Sequence, residues 1–180
     1  MLTEHFSEEE RAELVKYGLA RGKTILLSIL VILILGYFFG VLWQSIIFYI
    51  SFCSLRRYAG GFHAESQGRC YAISLVILII SILCIKYANC SIGINILLQA
   101  TCLVLIFILA PIENKNRKLD DIEQKQYKKK TRANAVVISL ICCFLYWKKN
   151  FYIIVPVVIA YIVLVCLLVA GYIKNVKENS

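Results

Sequence analysis

Apolar residues run along this chain in long unbroken blocks, separated by short charged segments. The first block, 24–55, holds no charged residue over 32 positions. At ~1.5 Å of rise per residue it is too long for one upright helix across ~30 Å of hydrocarbon. Gly36 and Gly40 sit near its middle, so the block is predicted to form two short helices joined by a tight hairpin. Four further blocks follow at 71–85, 92–112, 133–147 and 151–173. None alternates polar with apolar residues, which argues against a barrel, and lipid offers a backbone no other hydrogen-bond partners. The pattern predicts an all-α integral membrane protein, one domain over 1–180, with about six hydrophobic helical segments. Several blocks fall short of the ~20 residues of a comfortable span, so four full spans with a re-entrant pair is the variant arrangement.

Residues 1–23 read differently. They begin with acidic residues and lack the basic start and apolar core of a cleaved signal. Ser7 with Glu10 three positions on has the form of a capping box. An N-terminal interfacial amphipathic helix is expected there, with a plain solvated helix as the alternative.

The composition, 60% hydrophobic and 17% charged, agrees with membrane residence, and the net charge of +9 sets orientation. With the N-terminus inside, the inner segments 1–23, 56–70, 113–132 and 174–180 carry 4, 3, 8 and 2 basic residues, 17 of the chain's 20. Only Lys86, Lys148 and Lys149 fall outside. The positive-inside rule therefore puts both termini and the 56–70 loop in the cytoplasm. A basic balance of this kind answers anionic lipid and calls for no nucleic acid. Segment 113–132 is the densest, with eight basic against four acidic residues. It reads as a topology and lipid anchor, or as an electrostatic dock for an acidic peptide at Arg117, Lys118, Lys128, Lys129 and Lys130.

Of eight cysteines, six (Cys53, Cys84, Cys102, Cys142, Cys143, Cys166) lie in apolar blocks, where a thiol acts as a small hydrophobe. Cys90 falls in an outer loop. The spacings suggest neither a disulfide framework nor a metal site, since no CxxC occurs and the only histidines are His5 and His63. Cys70 differs: it starts an apolar block beside Arg69, and a nearby cation favours the reactive thiolate. His63, seven residues earlier in "RRYAGGFHAESQGRC", supplies a candidate general base. A Cys-His pair is the minimal apparatus for nucleophilic attack on a carbonyl. On one continuous helix their Cα atoms would stand roughly 10.5 Å apart, so the segment is expected to bend or tighten between them, with Gly68 permitting it. Gly60 and Gly61 allow close backbone approach, and Glu65, Ser66 or Gln67 could orient the imidazole.

The pattern Arg57, Gly60-Gly61, His63, Cys70, followed directly by apolar spans, resembles the accessory gene regulator B family of bacterial quorum-sensing peptide processors. The stretch Ala110-Pro111-Ile112-Glu113-Asn114-Lys115-Asn116-Arg117-Lys118-Leu119 resembles a second family motif, and the length and layout agree over nearly the whole chain. The resemblance implies a cofactor-free cysteine endopeptidase of the bacterial cell membrane, with Cys70 as nucleophile and His63 as general acid/base. It implies as substrate a small propeptide with an amphipathic leader and an acidic C-terminal tail, closed after cleavage into a thiolactone or lactone. It also implies a homodimer. A peptide exporter that cuts nothing, or a membrane scaffold, would be the competing readings; the spans contain almost none of the charges that mark a translocation path.

Overall fold

The computed structural model describes residues 8–62, 67–112 and 120–179. Six helices account for nearly all of them: α1 (Glu8–Phe38), α2 (Leu42–Ala59), α3 (Gln67–Tyr87), α4 (Ile92–Leu109), α5 (Asp121–Trp147) and α6 (Phe151–Asn179). No strand occurs among the described residues; the nearest thing is a single parallel bridge between Gly60 and Ile112. α3, α4 and α6 are long and apolar enough to cross a membrane, and 22–38 forms a shorter apolar helix within α1. Their outward faces are apolar, with Leu26, Ile34, Val76, Leu97, Ile108 and Ile173 all exposed. Water would not tolerate such a surface, whereas lipid solvates it. The protein is an all-α membrane protein.

α6 is the axis. It packs against α2, α3, α4 and α5, and its Tyr161, Leu164 and Leu168 are fully buried. It serves two cores. One gathers Leu55, Ile106, Ala135 and Leu164 from α2, α4, α5 and α6; the other gathers Ile32, Phe48, Ile82 and Ala160 from α1, α2, α3 and α6. The chain turns between α1 and α2 at Gly40, whose φ of +71° suits a residue without Cβ. Gly36 makes the turn tight: a Cβ there would lie 3.0 Å from Ser45 Oγ and 3.1 Å from Leu42 Cα.

The helices run past two expected boundaries. α1 is continuous from Glu8, so the expected leader joins the first apolar block without a break; Ser7 lies outside the described residues. α5 begins at Asp121, so Lys125, Lys128, Lys129 and Lys130 stand on a helix and not in a loop. Asp120 at the N-cap suits the positive helix end, and the Glu, Gln and Lys that follow are good helix formers.

The α4–α5 junction is fixed by a missing donor. An unbroken α4 would have the N–H of residue 111 donate to the Phe107 carbonyl, but Pro111 has none. Arg132 fills the vacancy: its Nη2 donates to Phe107 O at 2.8 Å, and its guanidinium lies 5.2 Å from the Phe107 ring centroid. Arg132→Met should therefore strand that carbonyl and cost about 1–3 kcal/mol. Unfolding in mixed detergent micelles, with Arg132→Lys as the milder comparison, measures it.

Candidate active site

Basic segments gather at one end of the bundle. The C-terminus of α2 meets the link after α4 through the Gly60–Ile112 bridge. Tyr58 of α2 meets Tyr127 of α5 edge-on at 5.9 Å, and Lys174 of α6 lies 5.6 Å from the Phe62 ring. Lys86 instead lies over Phe39, at the α1–α2 turn at the other end.

Within this end, residues 59–62 are held by a backbone clamp. Ala59 closes α2, and its carbonyl accepts from Ile112 N–H at 3.1 Å, one of the carbonyls a helix end leaves open. Gly60 follows at φ +70° and Gly61 at +111°, both in the left-handed half of backbone space. A Cβ on Gly60 would drive into the carbonyl oxygen of Ile112, which the cis Ala110–Pro111 peptide precedes. On the other side Phe62 N–H donates to Leu167 O of α6 at 3.0 Å. Only a glycine at 171 admits that approach: a Cβ there would sit 2.9 Å from both Gly61 C and Phe62 N. Arg56 completes the clamp from α2, donating Nη2 to Phe62 O at 2.8 Å. The two family-like motifs, Gly60-Gly61 and the stretch that opens Ala110-Pro111-Ile112, thus meet through the backbone of Gly60 and Ile112.

Beside the clamp lies a cavity of about 120 Å³ that contains Cys70. Its walls are mainly apolar, including Phe48, Phe52, Ile73 and Leu78, and its polar groups include Cys70 and Arg56. Cys70 stands in the first turn of α3, partly exposed, while Ser74 Oγ donates to its carbonyl at 2.8 Å. Arg56 Nη1 is buried and has no hydrogen-bond partner among the described residues, although the Cys70 thiol is within electrostatic reach of the guanidinium. A thiol and a cationic donor thus share one small apolar chamber, a low-dielectric setting in which such a donor acts strongly on negative charge.

His63 and Glu65 lie outside the described residues, as do Arg117 and Lys118. The chain on either side of His63 is in view: Phe62 and Cys70 both line the cavity. Gly68, expected to permit a bend before Cys70, lies instead within α3 together with Cys70. Arg57, named from the sequence motif, is exposed and lies 5.6 Å over the Tyr58 ring; it is the preceding Arg56 that enters the cavity. Consecutive residues on a helix point about 100° apart, so only one arginine of the pair can face inward. Gly171 also escaped sequence reading, its only signal being a glycine inside an otherwise bulky apolar span.

The lysine cluster divides by the same geometry. Lys130 lies 5.5 Å over the Tyr58 ring, toward α2 and the clamp. Lys128 and Lys129 join Lys125 and Arg132 in a groove against α4.

Comparison with known proteins agrees with this layout. The family model described as "AgrB: Accessory gene regulator B" matches residues 1–171. An AgrB-like protein 2 of Clostridium perfringens (strain 13 / Type A) is 27% identical over 166 residues, covering 86% of this chain and 78% of that protein. Protein FsrB of Enterococcus faecalis (strain ATCC 47077 / OG1RF) is 29% identical over 172 residues, covering 94% of this chain and 69% of that protein. No solved structure matches. With the match running through both glycine clamp and cavity cysteine to Gly171, this chain belongs to the accessory gene regulator B family.

Proposed function

We propose that this membrane protein is a cysteine endopeptidase that cuts a small quorum-sensing propeptide and lets the new acyl group close into a ring. Family membership supports the role in propeptide processing. The observation that carries the chemistry is the shared chamber: Cys70, Arg56 and the residue preceding His63 line one apolar cavity.

In this reading the imidazole of His63 takes the thiol proton as the Cys70 sulfur attacks the scissile carbonyl. The C–S bond forms and the carbonyl oxygen takes the negative charge. Arg56 Nη1, buried with no hydrogen-bond partner among the described residues, is the donor available to that oxyanion. When the intermediate collapses, the C–N bond breaks, the imidazolium gives its proton to the leaving amine, and a thioester remains on Cys70. An internal cysteine or serine of the propeptide then attacks the thioester, its proton passes to the imidazole, and the Cys70 thiolate leaves. A thioester passed to another thiol is nearly isoenergetic, so little driving force is lost. The apolar walls keep water from competing. The basic segments at this end of the bundle point to the cytoplasmic face. Lys130 and Arg57, on the clamp side of α2 and α5, suit the acidic tail of the substrate.

Co-expression with such a propeptide tests the proposal by mass spectrometry. The expected products are a free C-terminal fragment and an N-terminal fragment lighter by one water than its hydrolysed form. A propeptide recovered intact contradicts it. In the same assay Arg56→Met should lower kcat by about 10²–10³-fold, as loss of an oxyanion donor does elsewhere. KM should stay near the parent value, with Arg56→Lys between the two. A loss confined to KM would give Arg56 a binding role instead.

A further inference from the structure

We infer that the groove between α4 and α5 is a binding site for one anionic phospholipid. Lys125, Lys128, Lys129 and Arg132 line it, spaced i, i+3, i+4 and i+7 along one face of α5. The same face continues into Ala133 and Val136, with Phe107 of α4 opposite, and the open groove offers about 650 Å³. It therefore passes from four cations to an apolar floor with no change of helix.

That order matches one class of ligand. A phospholipid carries its phosphate beside its acyl chains, so the headgroup meets the cations while a chain lies along Val136 and Phe107. Arg132 marks the junction: one nitrogen, Nη2, is spent on Phe107 O, while Nε is buried with no hydrogen-bond partner among the described residues. A soluble acidic peptide would answer the lysines and leave the apolar half unmatched. The charges on the clamp side, Lys130 and Arg57, belong to a different face. Each lysine or arginine near an anionic bilayer surface adds attraction, equivalent to roughly fivefold in affinity.

The test uses the full chain in non-ionic detergent, mixed with phosphatidylglycerol and phosphatidylcholine, and native mass spectrometry of the retained lipid. The expected result is one phosphatidylglycerol per chain, held in preference to phosphatidylcholine and not displaced by inorganic phosphate. Lys128→Gln should weaken retention roughly fivefold and the Lys128→Gln/Lys129→Gln pair roughly 25-fold, with Lys16→Gln on α1 unchanged. Equal retention of both lipids, or an unaffected double variant, overturns the inference. Displacement by inorganic phosphate would make the groove a bare anion site, and displacement by a short polyglutamate would make it a peptide dock; either overturns it too. Cys70→Ala should keep its lipid, so failure here is distinct from failure of the peptidase reading.

Discussion

Cys70→Ala and His63→Ala are each expected to lower the rate of propeptide cleavage by at least about 10³-fold, because in the proposed mechanism the two groups act as one unit. The variants should nevertheless differ. Without Cys70 no acyl-enzyme can form. Without His63 the sulfur is still present, so raising the pH to ionise the thiol should restore a trace of acylation. Cys84→Ala supplies the control: that thiol is exposed on the apolar α3 and should be silent. Propeptide cleavage followed by mass spectrometry reads all three. Normal cleavage by Cys70→Ala or by His63→Ala would remove the mechanism and leave only the membrane protein.

The second large effect falls on the clamp. Gly60→Ala would place a methyl group into the Ile112 carbonyl at a φ of +70°, so neither the neighbour nor the backbone can yield cheaply. Left-handed strain and overpacking together suggest a loss of about 3 kcal/mol or more. Gly171→Ala carries no dihedral penalty but presses on Gly61 C and Phe62 N at 2.9 Å, for about 1–3 kcal/mol. Because Phe62 leads into His63, even a variant that folds should misplace the base; an error of about 1 Å can cost about 10²-fold in rate. Thermal unfolding in detergent and the cleavage assay check both effects. Gly93→Ala, with no atom within 4 Å of the added Cβ, should leave both unchanged. Gly60→Ala or Gly171→Ala behaving like Gly93→Ala would show that the clamp is not needed.

How much of this was readable beforehand depends on whether the information was local. The apolar blocks announced helices and membrane residence because burial in lipid needs no partner from elsewhere in the chain. The Gly60-Gly61 pair and Cys70 were visible as residue types too specific for an ordinary span. Which arginine faces the cavity was not, because Arg56 and Arg57 differ only by a helical rotation fixed when α2 packs on α6. Gly171 stands 110 residues from Gly61, and nothing in its own neighbourhood signals the backbone it admits. The helical start of α5 was obscured by its charge, which reads as loop when the apolar period is the guide; propensity and the acidic N-terminus would have found it. Arg132 is the same lesson in miniature: Pro111 advertises a missing N–H, but its replacement arrives from 21 residues downstream.

The proposed acyl-enzyme is the most direct object to measure. Purified protein mixed with propeptide, quenched in acid and digested, should yield a Cys70 peptide whose mass is increased by the N-terminal propeptide fragment, joined by a thioester that hydroxylamine removes. Cleavage that proceeds with no such adduct, or an adduct that survives Cys70→Ala at another residue, would contradict the account.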